Sequence, residues 1–161
     1  MSEESALELY ITSFQSLRKL TDKVFKQLKD EDYHYIPSPE SNSMAIIMKH
    51  IAGNMLSRWT DFLTSDGEKP GRNRDSEFVD EYDNVQHPAD KNDLFDFWNK
   101  GWDRLFSTLS ELEDDDLEKI VYIRNESHTV LKAILRAYSH YSYHIGQLVY
   151  IAKMINDENW V

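Results

Sequence analysis

The chain has 161 residues, 40 % of them hydrophobic, which predicts a single domain over residues 1–161 with a sizeable core. It contains no cysteine, which excludes disulfides, thiolate metal ligands and a cysteine nucleophile. A formal net charge of −11 argues against nucleic acid and anionic lipid as partners. Because no signal-peptide pattern and no apolar run of membrane-spanning length are evident, we expect a cytoplasmic protein that does not enter the membrane.

Four stretches with helical spacing of apolar residues follow one another along the chain. They cover residues 5–28, 43–63, 91–112 and 129–155. The second is followed by a long, polar, turn-rich connection over residues 64–90, and connections of that length are often functional. The connection after the third contains a short β-like run at residues 120–123. The pattern predicts an all-α four-helix bundle with long connections after the second and third helices.

Two histidines four residues apart stand in the fourth predicted helix. His140 and His144 therefore share one helix face, at a separation that suits two ligands of one metal ion. Both fall at the edge of the apolar stripe, and His50 in the second helix is also expected to face inward. The three form the candidate metal triad.

Three inward histidines from two helices admit two explanations. In the first, each is a core histidine that hydrogen-bonds a neighbouring tyrosine or the backbone. In the second, a shared divalent metal satisfies three imidazoles that would be costly to bury separately. Three histidines and an open fourth position form the ligand set of a catalytic zinc site. The residue pattern favours the metal and leaves the first explanation open.

The remaining histidines lie in or beside connections. We expect His34, His87 and His128 to be ordinary surface or capping residues. His128 stands where the fourth helix should begin, with Ser127 or Thr129 as a plausible N-cap.

The order of these motifs resembles a known superfamily. One histidine near the start of the second helix, followed by HxxxHxGQ at residues 140–147, is similar to the DinB-like metal-dependent bundles, which include bacillithiol and mycothiol S-transferases. Residues 48–78 further resemble a branch of that superfamily whose activity is unassigned. The resemblance spans essentially the whole chain. It implies an up-down-down-up bundle, usually dimeric, in which His50, His140 and His144 bind one divalent metal, zinc or nickel being typical.

The resemblance also suggests a function. It implies a metal-dependent enzyme that transfers a low-molecular-weight thiol to a small electrophile, where the metal acidifies a bound water or thiol and polarises the substrate. The alternative is a non-catalytic metal- or small-ligand-binding stress protein. An enzyme needs an exchangeable metal position beside a pocket, whereas a structural site is closed by protein groups.

Two polar residues follow His50 along roughly the same helix face. Asn54 and Arg58 stand at i+4 and i+8, which makes them candidates for a catalytic or substrate-orienting role. For Arg58, the functional reading is a group that orients an anion near the metal. The alternatives are an ion pair with a carboxylate of another helix, or a side chain that extends to solvent.

The long connection carries the densest positive charge of this acidic chain. Arg72 and Arg74 are candidates for binding an anionic cosubstrate, such as the carboxylates of a low-molecular-weight thiol. The simpler expectation is an exposed loop in which they pair with Asp75 and Glu77.

The sequence also predicts roles for two further residues of the fourth helix. Gln147, three residues after His144, is expected to hydrogen-bond a ligand histidine. Gly146 is expected to permit the close approach of another helix. No phosphate-binding loop, dinucleotide fingerprint, nucleophile elbow or HExxH motif occurs, and the inward-facing stretches lack the paired Glu and ExxH signature of di-iron bundles.

Overall fold

The described chain is mostly helical and carries one small sheet. A computed structural model describes residues 4–79 and 91–160. Its α-helices are α1 (Ala6–Phe25), α2 (Met44–Trp59), the short α3 (Arg74–Glu77), α4 (Lys91–Ser110) and α5 (Val130–Asn156). Strands β1 (Ile120–Ile123) and β2 (Glu126–Thr129) pair antiparallel just before α5. The predicted β-like run is thus β1, while β2 and α3 were not predicted and are additions to an all-α class.

Three of the long helices begin where the sequence places an N-cap. Ser5 forms a capping box with Glu8, and Ser43 accepts a hydrogen bond from the Ile46 N–H. Thr129 accepts one from the Lys132 N–H, which makes it the N-cap of α5. These side chains satisfy N–H groups that have no partner within the helix, so local chemistry fixes the starting points.

Helix α2 ends four residues before its predicted end at residue 63. Thr60 has an extended backbone and Asp61 a left-handed one, with φ of 48°. The freed carbonyl of Trp59 accepts a hydrogen bond from the Thr108 hydroxyl of α4, at 2.7 Å. A contact from another helix therefore supports the early end, which periodicity could not indicate because Phe62 beyond it is still buried.

The four long helices enclose one core. Helix α2 packs against α4 and α5, and α1 packs against the same two helices, which closes a ring of contacts. At Gly101 of α4 the absent side chain matters, since a Cβ would lie 3.1 Å from the Ala52 Cα of α2. Residues 44–55 of α2 are all buried, so α2 is covered on every side rather than along one apolar stripe. Helix α3 packs on α2 and supplies part of that cover.

The segment after α2 is tied to the β1–β2 turn. The Asp66 carboxylate accepts hydrogen bonds from the backbone N–H groups of Arg124, at 2.9 Å, and Asn125, at 2.8 Å. Both turn residues have left-handed backbones, with φ of 53° and 63°. The Gly67 N–H donates to the Tyr122 carbonyl at 2.8 Å. These bonds place the loop and the hairpin turn side by side over one end of α2.

The structure also shows the environments of the other histidines and of Gly146. His34 is partly exposed in a 3₁₀-helix (Asp30–His34), and His87 lies outside the described residues. The surface prediction for His128 was wrong, because this residue is buried in β2, where it bonds the Glu126 carbonyl and Arg136. A Cβ on Gly146 would meet no atom within 4 Å, so none of the described helices approaches it closely. None of the described helices has the length and apolar character needed to cross a membrane.

Candidate metal centre

The three candidate histidines converge in the structure. Helix α2 contributes His50, helix α5 contributes His140 and His144, and one ring nitrogen of each lies within 4.8 Å of the others. The Nε2 atoms of His50 and His140 are 3.1 Å apart. Two nitrogens that each lie about 2.0–2.1 Å from one tetrahedral zinc ion are roughly 3.3 Å from each other. The donor set and its spacing therefore fit a divalent ion.

Two of the histidines have their outer nitrogen held by a protein oxygen. His50 Nδ1 lies 3.0 Å from the Glu77 carboxylate, and His144 Nδ1 lies 2.8 Å from the Gln147 side-chain oxygen. Since each oxygen accepts the Nδ1 proton, the Nε2 atom keeps its lone pair for the centre of the cluster. The predicted hydrogen bond between Gln147 and a candidate ligand, His144, is present. Glu77 was not predicted to contact a histidine.

Glu77 is itself fixed from the other side. The Arg72 guanidinium holds its two oxygens at 2.7 and 2.8 Å, and Arg72 also reaches Glu68 at 3.4 Å. A Cβ at Gly53 of α2 would overlap the Glu77 carboxylate, so this glycine lets the carboxylate reach the helix. A glycine inside a helix is ordinarily unfavourable, and this interior glycine three residues after His50 was the available signal.

Burial favours the neutral form of the two histidines of α5. The pKa of His140 is lowered to about 3 by burial, with further lowering from the nearby His144 and His50. Burial also lowers the pKa of His144, although its bond to Gln147 acts in the opposite direction. Neutral imidazoles are the form that binds a metal, so no proton must first be displaced from His140 at neutral pH.

A cavity of about 370 Å³ opens beside the triad. Its walls include His50, His140 and Asn54. The Trp59 indole N–H donates to the Tyr141 hydroxyl at 3.1 Å, and that hydroxyl donates to the Asn54 side-chain oxygen at 2.7 Å. Because this oxygen is occupied, the group that Asn54 can offer to the cavity is its NH₂ donor. A larger cavity of about 450 Å³ is also lined by Glu77 but by none of the three histidines.

Comparison with known proteins assigns a family. Residues 2–161 match the family described as "Protein of unknown function (DUF1572)". The chain belongs to the DUF1572 family. Among solved structures it is similar to "Crystal structure of the conserved protein of locus from Enterococcus faecalis", with a TM-score of 0.66 and 16 % identity over 92 % of this chain and 96 % of that chain. At this identity the likeness bears on the fold alone. Among curated proteins, none matches the chain.

In this DUF1572 protein Arg58 is buried beside the cavity. It is 4 % exposed, and its Nε donates to the Gly67 carbonyl at 3.3 Å. Within residues 4–79 and 91–160, no carboxylate forms a salt bridge with it. Burial lowers the pKa of Arg58. The alternative of extension to solvent was therefore wrong, no described carboxylate of another helix pairs with Arg58, and a role toward an anion stays a prediction.

The two arginines of the long connection differ in environment. Arg72 is a buried member of the Glu77 ion pair, with a side chain only 5 % exposed, so the expectation of an exposed loop was wrong for it while the pairing with Glu77 is confirmed. Arg74 is exposed at the start of α3, and the described residues contain no ion pair between Arg74 and Asp75. Both arginines line the cavity beside the triad.

Proposed function

We propose that His50, His140 and His144 hold one divalent metal ion, zinc or nickel, in a catalytic site. The observation that carries this proposal is the convergence of three imidazole nitrogens beside a cavity, with the outer nitrogens of His50 and His144 held by Glu77 and Gln147. Metal-ligating histidines typically have their second nitrogen bonded in this way. Histidines that are buried separately in a core would not need ring nitrogens that converge on one point.

The fold supports a DinB-like assignment. The ring of contacts among α1, α2, α4 and α5, with the long connections after α2 and α4, agrees with the up-down-down-up four-helix bundle that we propose. The Enterococcus faecalis protein, with its TM-score of 0.66, supports the same arrangement. One fold can host different activities, so the proposed reaction rests on the residues of the site.

The reaction we propose is transfer of a low-molecular-weight thiol to a small electrophile. When bound, the ion would supply a Lewis acid that lowers the pKa of a coordinated water or thiol. Glu77 orients His50, Gln147 orients His144, and Asn54 offers N–H donors to a substrate in the cavity. The chain has no cysteine, so the thiol would come from a second molecule. The alternative is a non-catalytic metal- or small-ligand-binding protein.

Metal content by mass spectrometry tests the metal site. We expect about one ion per chain in untagged protein and its loss in His50→Ala, His140→Ala and His144→Ala. His34→Ala, which removes a partly exposed histidine away from the triad, should keep the ion. Full occupancy in all three triad variants would refute the metal site.

Consumption of a thiol and an alkyl halide then tests the reaction. An enzyme should consume both at a rate that falls with metal removal and with the His140→Ala substitution. Stoichiometric metal with no thiol consumption would favour the non-catalytic alternative.

We also propose that the protein is a homodimer that uses the outer face of α5. Tyr143, Tyr150 and Met154 on this face are 56 %, 67 % and 42 % exposed. Gly146 adds no side chain to the same helix, and a Cβ there would meet no atom within 4 Å. Exposed apolar patches of this kind mark interaction sites. Sedimentation velocity should show a dimer for the wild type and a monomer for Tyr150→Glu. Tyr122→Glu replaces another exposed tyrosine, on the hairpin and 53 % exposed, and should leave the dimer intact. A wild-type monomer would refute this proposal.

A further inference from the structure

The arginines of this acidic chain are concentrated at one place. Five of the seven line the cavity beside the triad, namely Arg58, Arg72, Arg74, Arg124 and Arg136. They come from separate parts of the chain: α2, the segment entering α3, the β1–β2 turn and α5. A net charge of −11 makes a cluster of this kind unexpected by composition. Their convergence is therefore a feature of the tertiary structure that needs an explanation.

Neighbouring carboxylates compensate only part of this charge. Glu77 pairs with Arg72, and Glu68 lies 3.4 Å from Arg72 and 3.6 Å from Arg124. The other three cavity arginines form no salt bridge with any described residue. Among them Arg58 is 4 % exposed, and a buried guanidinium without a counter-ion is costly. An anion in the cavity would remove that cost.

The arginines at the cavity rim are held in position by their neighbours. Arg124 adopts a left-handed backbone, which is strained for a residue other than glycine, and the Asp66 carboxylate holds it there through the N–H bonds of the turn. Arg136 donates to His128 Nε2 at 3.2 Å, and His128 Nδ1 in turn donates to the Glu126 carbonyl at 3.0 Å. A strained turn residue and partly buried hydrogen bonds thus direct these guanidinium groups toward one cavity.

We propose that this cavity binds a small molecule with at least two negative charges, carried by carboxylate or phosphate groups. Guanidinium groups match both oxyanions through paired N–H bonds, and Asn54 adds a neutral donor to the same wall. A volume of about 370 Å³ is in the range of small-molecule sites. Because His50 and His140 line the same space, an anion held by the arginines lies next to the triad. Binding of the anion does not depend on the proposed function. Its role as a substrate does.

Isothermal titration of metal-free protein with pyrophosphate and with succinate tests this inference. Metal-free protein is used because a bound ion could itself attract the probe. We expect saturable binding of at least one probe, weakened about tenfold or more by Arg58→Met and by Arg136→Met. Arg104→Met, which removes an exposed arginine of α4 outside the cavity, should bind as the wild type does. Thermal melts would establish that each variant is folded.

The outcomes separate the ligand classes and the two proposals. Binding of pyrophosphate alone supports a phosphate compound, and binding of succinate alone supports a dicarboxylate. Dissociation constants above about 10 mM for both probes, or an equal loss in Arg104→Met, would overturn the inference. Anion binding by a protein that takes up no metal would leave the anion site standing while the proposed function fails. Metal uptake without anion binding would overturn the anion site and leave the proposed metal site standing.

Discussion

Replacing Glu77 by Gln should weaken metal binding without touching a proposed ligand. The carboxylate lies 3.0 Å from His50 Nδ1, and both side chains are 6 % exposed, so solvent screens the interaction little. Removal of such an outer partner typically lowers metal affinity 10- to 100-fold, or about 1.4–2.7 kcal/mol. Competition for zinc against a chromophoric chelator measures this change. Urea unfolding of the metal-free variant should also show a loss of up to about 3–5 kcal/mol, because Arg72 loses its closer partner.

Glu68→Gln is the matched control for this prediction. Glu68 contacts the same Arg72, at 3.4 Å, but forms no hydrogen bond with His50 in the described structure. Its replacement should change zinc affinity less than about threefold, since the histidine keeps its partner. Equal zinc affinity in Glu77→Gln and the wild type, with binding abolished in His50→Ala, would show that the carboxylate has no effect on its histidine. The role assigned to Glu77 would then be wrong.

Three further predictions concern pH, the hairpin turn and the glycine of α2. The pKa of His140 is about 3 when folded and about 6.5 when unfolded, so metal-free protein should lose stability as pH falls from about 6.5 toward 3, by at most about 1.4 kcal/mol per pH unit. Urea titrations should show a shallower slope for His140→Asn, and an unchanged slope would contradict this origin. Asp66→Asn should cost about 1–3 kcal/mol in the same assay, because the N–H groups of the hairpin turn lose a charged acceptor. Gly53→Ala should lower zinc affinity about tenfold by displacing Glu77, and wild-type affinity would mean that the carboxylate accommodates the methyl group.

Local pattern was sufficient for the parts of the site that lie within one helix. His140 and His144 share a face because four residues make about one helical turn, and Gln147 reaches His144 for the same reason. Helix starts were equally local, since the hydroxyl of Thr129 caps the helix that immediately follows it. In each case both partners lie within four residues of each other.

The features that the sequence did not predict depend on contacts between segments that are distant in the chain. The end of α2 depends on a hydroxyl from α4, and the burial of His128 depends on a strand pairing that its polar sequence does not indicate. Glu77 stands 27 residues from His50, at the end of a polar connection whose path no periodicity describes. Asp66 and Arg124 are 58 residues apart, yet their bond sets the position of the turn.

The sequence by itself determined that the chain is mostly helical and that three histidines from two helices could meet. Those properties follow from residue spacing, because a helix repeats every 3.6 residues and an apolar stripe must turn inward. Only the tertiary structure decided that Glu77 contacts His50, that Arg58 is buried with no salt bridge to a described carboxylate, and that five arginines line one cavity. The physical reason is that loop conformations are set by hydrogen bonds between remote segments, whose partners become neighbours only once the chain has folded.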